Sequence, residues 1–504
     1  MNLWTFVEPA SLINLAIIIP LVGAFILLLA DKQPNIREAI TLTTATLLFT
    51  VVLSIADNTF NRVDMQTQWL ELFPGVGLSF VVEPLGVLFA LVASFLWIIT
   101  TIYAIGYMRG HHEKNQTRFF FCFALAISSV MAICFSGNLI TLFVFYEILT
   151  LSTYPLVTHA GTNAAKKGGR TYLGVLLSTS IAFLLFAVIG TWAVTGSVDF
   201  QAGGIVQDVD NKFILALLLV LFCYGIGKAA IMPFHRWLPA AMVAPTPVSA
   251  LLHAVAVVKA GVFSILKVVI YIFGFESLKD IPTTDIMLYI GAATVLLSSL
   301  IAMTKDNLKA RLAYSTVSQL SYIVVGALLA SPIAATGAAL HIATHAVGKI
   351  TLFFCAGAIM VASHKKNISE MVGLGRTMPI TMAAFAIGAI SIIGLPPMAG
   401  TWSKWFLTIG ALEADKQIIA AVLIVSSLLN IAYLLPIPIK AFFAKSEDGV
   451  SSWCRSDVKE APLPSLIALG ITSVGCFALF FYPQPLIELI NLIPSISGSL
   501  DSGG

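Results

Sequence analysis

The chain reads as an all-α polytopic membrane protein: a single membrane domain over residues 1–504, with about fourteen transmembrane helices, two inverted five-helix repeats and discontinuous helices at spans seven and twelve. Three observations predict this. Hydrophobic residues make up 58% of the 504 positions and charged residues 11%, with a mean hydropathy of +0.94, far from a soluble profile. Apolar runs of roughly 20 residues, the length that crosses a bilayer, recur along the whole chain. Lysine and arginine concentrate in alternate loops between those runs, as cytoplasmic loops require.

The spans fall at about 11–30, 38–56 and 80–107, forming an N-terminal group within 1–110. A first repeat over 119–275 follows, with spans at 119–136, 138–158, 171–195, 213–234 and 246–275. A second repeat over 283–440 holds spans at 283–303, 312–330, 333–362, 378–409 and 417–439, and a last helix lies at 463–483. The first apolar run follows Glu8 with no basic n-region or small-residue cleavage site, so it reads as a retained helix rather than a signal peptide.

Nineteen of the 28 basic residues lie in loops after odd-numbered spans or in the last such segment, among them Arg109, Lys114 and Arg118; Lys166, Lys167 and Arg170; and Lys305, Lys309 and Arg311. The opposite loops hold Arg62, Lys212, Lys279 and Lys416. That segregation predicts both termini outside and, for a bacterial chain, placement in the cytoplasmic (inner) membrane. The formal net charge of +3 comes from nearly balanced totals, so no basic tract argues for nucleic acid. The six cysteines are scattered singly with neither disulfide nor metal-site spacing, and no dinucleotide fingerprint or iron-sulfur pattern is present. No cofactor and no metal are expected.

Two spans carry helix breakers beside a lysine. The seventh contains Tyr224-Gly-Ile-Gly-Lys-Ala-Ala-Ile-Met-Pro233, where the proline frees the carbonyl of Ala229. The twelfth contains Ile393-Gly-Leu-Pro-Pro-Met-Ala-Gly400 just before Lys404. Interruptions at corresponding places in two halves, five spans apart, point to inverted repeats with an ion site near the midplane.

The remaining five lysines, Lys228, Lys259, Lys267, Lys349 and Lys404, lie inside spans, where a cation costs roughly 3 kcal/mol or more. Glu147 in the fifth span needs a cation or a proton. It is expected to pair with Lys228, as a switchable couple or as a fixed packing ion pair, and intramembrane ionisable groups favour the first. Lys228 and Lys259 are candidate proton carriers, because desolvation disfavours the ammonium. His253, six residues before Lys259, reads equally as a relay or as a satisfied core histidine. His341, His345 and Lys349 recur every four residues and share one helical face. Such a histidine pair could ligate zinc, but no third ligand or HExxH accompanies it, so a hydrated relay is the better reading. Lys404 is the terminal group near an exit, or else snorkels to the interface. Lys267 has only Ser264 as a polar neighbour in sequence and is expected to snorkel outward. Glu83, before Pro84, reads as a helix N-terminal carboxylate complementing the dipole, with a subunit interface as the alternative.

The run from Gly227 to His253, including Lys228-Ala-Ala-Ile-Met-Pro-Phe-His-Arg-Trp-Leu-Pro239, closely resembles the signature of the antiporter-like subunits shared by respiratory complex I and Mrp cation/proton antiporters. The segments Asp306 to Gln319, His341 to Lys349 and Leu395 to Lys404 look like further motifs of that family, and the resemblance covers about residues 80–440. It implies the fourteen-helix fold with inverted repeats and a proton path through Glu147, Lys228, Lys259, His341, His345, Lys349 and Lys404. Ala240 departs from the pattern, since an acidic residue is common there, which puts a loop salt bridge in doubt. The chain ends soon after span fourteen without a long lateral helix, which resembles the Mrp D subunit more than the largest members. The expected function is proton translocation within a multisubunit Na+/H+ antiporter of Mrp type. A proton-pumping subunit of a complex I-like NADH or ferredoxin:quinone oxidoreductase is the alternative, and a non-transporting membrane scaffold the second. Expected partners are other membrane subunits, H+, Na+ and the lipid bilayer.

Overall fold

The structure, a computed structural model, describes residues 4, 7–73, 76–444 and 458–496. Cys454, Lys445 and Arg455 lie outside the described residues. Proline opens many of the helices, at Pro9, Pro34, Pro84, Pro282, Pro332, Pro379 and Pro436. Its fixed φ suits the first turn, where its missing N–H is not needed. Elsewhere a side chain caps the first turn: Asn138, Thr162, Asn211 and Asn307 each accept a backbone N–H two or three residues on.

Eleven helices among the described residues are long and apolar enough to cross a bilayer. The other three expected spans are also helical, but Lys212–Gly225 and Pro379–Ile393 are short. Leu308–Leu328 begins with Lys309 and Arg311 and carries a run of hydroxyl and amide side chains.

Four boundaries differ from expectation. The third helix is Pro84–Gly110, because the residues before it form an antiparallel hairpin of β1 (Gln66–Phe73) and β2 (Val76–Val81), with Gln66 opposite Val81 and Leu70 opposite Leu78. Short alternating stretches of this kind favour strand over helix. The sixth span starts eight residues early, at Asn163, so Lys166, Lys167 and Arg170 sit on its first turns rather than in a loop; Thr162 caps it there. The seventh helix stops at Gly225 and passes through a 3-10 turn, Gly227–Ala229, well before Pro233. At the break the carbonyl of Gly227 accepts both the Ala230 N–H at 3.0 Å and the Trp237 indole N–H at 3.0 Å. Glycines at 225 and 227 are weak helix formers and end the helix first. The thirteenth span is Gln417–Leu434 followed by Pro436–Phe443.

The core is built around two helices. Thr246–Phe273 is buried along its whole length, interrupted by π-helical segments at Leu251–Val255 and Val269–Phe273. Beside it runs Pro332–Ser363, 32 residues, about 48 Å at helical rise. Gly261 lets the first of these press onto the break in span seven, since a Cβ there would lie 2.3 Å from the backbone carbon of Lys228.

Candidate functional site

Lys228 is fully buried in the break of span seven, facing span five. Its Nζ donates to the carbonyl of Tyr146 at 2.8 Å and to Oγ1 of Thr150 at 2.6 Å, and lies 3.1 Å from the Tyr146 ring centre. Its backbone N–H donates to the Tyr146 hydroxyl at 3.0 Å. Glu147 therefore does not make the expected ion pair. Consecutive residues on a helix point about 100° apart, so Tyr146 and Thr150 face Lys228 while Glu147 is turned toward the side bearing exposed Leu151. Both carboxylate oxygens of Glu147 are buried without a hydrogen-bond partner among the described residues.

Span eleven presents one polar face, as the four-residue spacing predicts, but its three groups meet three different helices. Nδ1 of His345 lies 2.7 Å from Nζ of Lys259 on span eight. Nδ1 of His341 lies 2.8 Å from the hydroxyl of Ser403 on the second half of span twelve, which is also 3.1 Å from Oγ1 of Thr344. Lys349 donates to the Ser315 hydroxyl on span ten at 2.6 Å; that hydroxyl also accepts from Tyr433 at 2.8 Å, and Tyr433 bonds to Asn430 in turn. The two histidine rings are 5.6 Å apart, and Nε2 of each is buried without a partner among the described residues.

Lys404 is 8% exposed and does not snorkel. The twelfth span breaks between Ile393 and Gly400, which frees the carbonyl of Ile393, and Lys404 takes it at 3.0 Å together with the Ser427 hydroxyl at 3.0 Å. Gly394 has φ +87, and a Cβ there would lie 2.6 Å from Cδ of Lys404, so this turn needs glycine. Tyr322 joins the two ends of the site: its ring stacks on His341 at 5.7 Å and lies 4.8 Å from the Lys404 ammonium.

His253 is buried against Phe353, 4.8 Å between rings, with neither ring nitrogen hydrogen-bonded among the described residues. Lys267 does not point outward as expected: it is fully buried and 2.8 Å from Glu83, which is thus an ion-pair partner rather than only a helix N-terminal charge. Sequence spacing could not show this, because the two residues lie on helices far apart in the chain. Tyr146, Thr150, Ser315, Tyr322, Ser403 and Ser427 also escaped the sequence reading. Most are hydroxyl side chains beside or inside the motifs, and a polar residue at mid-span was the available signal. Among the described residues no cluster of three or more His, Cys, Asp or Glu could hold a metal ion.

A family model described as NADH:quinone oxidoreductase/Mrp antiporter, transmembrane, matches residues 136–430, and one for the complex I chain 5 N-terminus matches 69–120. The chain is 32% identical over 426 residues to NADH-quinone oxidoreductase subunit N of Desulforudis audaxviator, covering 82% of this chain and 84% of that one. It is 33% identical over 345 residues to NAD(P)H-quinone oxidoreductase chain 5 of Synechocystis, covering 65% of this chain and 49% of that one. The chain thus spans about half the length of its chain 5 relatives. Its fold matches a chain in the Mrp complex from Dietzia with a TM-score of 0.83 at 23% identity, over 96% of each chain. A chain of an archaeal membrane-bound sulfane sulfur reductase matches with a TM-score of 0.84 at 21% identity, over 96% of this chain and 98% of that one. This multi-pass membrane protein belongs to the family of membrane subunits shared by NADH:quinone oxidoreductases and Mrp antiporters.

Proposed function

We infer that the chain translocates protons as one subunit of a multisubunit monovalent cation/proton antiporter of Mrp type. The observation that carries this reading is the run of buried amine, imidazole and hydroxyl groups from Lys259 to His345, across 5.6 Å between ring centres to His341 and on to Ser403, with Tyr322 leading on to Lys404. Every partner that holds these lysines is neutral, so a proton can leave one of them without stranding a bare carboxylate. Lys228 and Glu147 form the switching end, coupled through space; Lys259, His341, His345 and Lys349 are the relay and Lys404 the outlet. The open Nε2 positions of His341 and His345 are where a hydrated proton would bond. Spans four to eight and nine to thirteen act as the two inverted repeats, each with a break beside a buried lysine. The setting is the bacterial cytoplasmic membrane, both termini outside, with Na+ as the exchanged cation.

A second reading puts the same path inside a redox-driven complex. It is favoured by the names of the relatives, which are NADH-quinone and NAD(P)H-quinone oxidoreductase subunits. Purifying the native complex through a tag on this chain separates the two. Small membrane partners without flavin or iron-sulfur absorbance, and sodium-triggered proton flux in everted vesicles, support the antiporter; absorbing hydrophilic partners overturn it in favour of the pump. If Lys228→Ala, Glu147→Gln and Lys404→Ala all keep full transport in the assembled complex, the proton path itself is wrong.

A further inference from the structure

Lys267 differs from the other buried lysines in what holds it. Its Nζ lies 2.8 Å from Oε2 of Glu83, donates to the carbonyl of Ser136 at 2.6 Å and sits 4.4 Å from the Phe200 ring centre. An ammonium has three N–H donors and no lone pair; here the Ser136 carbonyl accepts one, and the Glu83 carboxylate and the Phe200 ring lie against the ammonium on other sides. Lys259 meets a histidine nitrogen, Lys349 a hydroxyl and a carbonyl, and Lys404 a carbonyl and a hydroxyl. Lys267 meets a carboxylate. Removing its proton would leave Glu83 charged and uncompensated in a buried site, which is strongly unfavourable.

The pair also stands where it matters for direction. Lys267 is two helical turns beyond Lys259 on the same helix, about 12 Å, toward the side that the charge distribution predicts to be outside. The intervening Ser264 hydroxyl is turned back to the carbonyl of Ala260 at 2.7 Å. Beyond the pair, a cavity of about 470 Å³ is lined by Val82 and Pro84, the neighbours of Glu83, and by Arg62 and Asp64. The other titratable groups bearing on the pair are Tyr271 of span eight and Cys134 of span four, both uncharged in their ordinary state at neutral pH. The pair therefore lies at the outer end of the lysine file, beside residues that line an open cavity of which neither Glu83 nor Lys267 is itself a wall.

We propose that Glu83 and Lys267 form the outer seal of the file, a fixed charge pair that keeps a proton on Lys259 from escaping outward along span eight. This rests on the proton-path reading above. An incoming proton finds only a poor acceptor at the seal, because the ammonium has no lone pair and protonating the carboxylate would forfeit its ion pair with Lys267. Release is left to the Lys404 end.

The test is the passive collapse of an imposed pH gradient in proteoliposomes holding the whole complex, with no driving cation or electron donor. Lys267→Met leaves an uncompensated carboxylate that draws a proton outward and should speed the collapse roughly tenfold, the weight of one unit charge about 12 Å away at an effective dielectric constant of about 20. Glu83→Gln should speed it too, because a buried ammonium without its carboxylate gives up its proton and the free amine then accepts one. Lys267→Arg, which keeps the charge, should behave as the unaltered complex. Adding Lys259→Met to Lys267→Met should remove the leak, since the escape route starts there. An assembled Lys267→Met or Glu83→Gln complex with unchanged leak overturns the seal and leaves a packing contact. A leak that Lys259→Met fails to suppress overturns it too. If Lys267→Met does not assemble, the near-isosteric Glu83→Gln decides by the same readout. Because the leak is read without driven transport, it stays distinct from the Lys228, Glu147 and Lys404 tests of the path.

Discussion

Nδ1 of His345 and Nζ of Lys259 lie 2.7 Å apart, joining spans eight and eleven at fully buried positions. One proton can sit on either nitrogen, and the hydrogen bond exists in both cases. Lys259→Met or His345→Phe should lower driven proton flux by roughly 10²-fold, the usual weight of a positioned proton-transfer group. The two together should cost little more than one alone. Dye-reported acidification in vesicles, normalised to assembled complex, checks this; additive losses would show two independent roles.

Glu147 carries a buried carboxylate without a hydrogen-bond partner among the described residues. Such a group is costly to keep charged. Glu147→Gln is therefore expected to abolish transport while leaving the unfolding temperature of the purified complex equal or higher. A clear loss of stability would mean that Glu147 serves packing instead.

Tyr322 faces His341 and Lys404 with its ring and donates its hydroxyl to the carbonyl of Leu423 at 2.9 Å. Tyr322→Phe keeps the ring and should retain most of the transport. Tyr322→Leu removes a desolvated cation–π contact of about 2 kcal/mol and should slow flux about tenfold or more. Equal rates for both variants would remove Tyr322 from the path.

Gly261 packs against the backbone of Lys228. A backbone wall cannot move aside as a flexible side chain can, so Gly261→Ala should destabilise the protein by about 1–3 kcal/mol. Thermal unfolding in detergent measures it. A neutral result would mean that the break in span seven is mobile.

Two loops are tied by Asp306. Its carboxylate accepts from the Ser369 hydroxyl at 2.7 Å and from the Ser369 N–H at 3.0 Å, and its carbonyl accepts from Ile368 N–H at 2.9 Å. These bonds, the Ser369 hydroxyl first, hold its carboxyl below the usual range. A lowered folded value means that the contribution is present above the unfolded value of about 3.9 and is lost as pH falls through the folded one. Exposure keeps it small. The protection of the Ser369 amide, the slowing of its exchange relative to an unstructured amide at the same pH, should fall below about pH 4, and Asp306→Ala should bring the lower protection at neutral pH. Unchanged protection would show that the backbone contacts suffice.

The sequence alone determined the class, the order of the apolar runs, the presence of breaks beside Lys228 and Lys404, and most of the titratable groups that are buried. These follow from local quantities: the length of an apolar run, the cost of a charge in it, and the missing N–H of proline. What each group faces was decided only by the tertiary structure. Glu147 and Tyr146 are neighbours in the chain, yet one helical step of about 100° gives Lys228 to the tyrosine. His341, His345 and Lys349 share a face, and packing deals them to three helices. Lys267 looked bare in its own segment, and its carboxylate came from a helix about 180 positions earlier in the chain. A hydrogen bond depends on distance and direction across helices, and neither is encoded in the spacing along one of them.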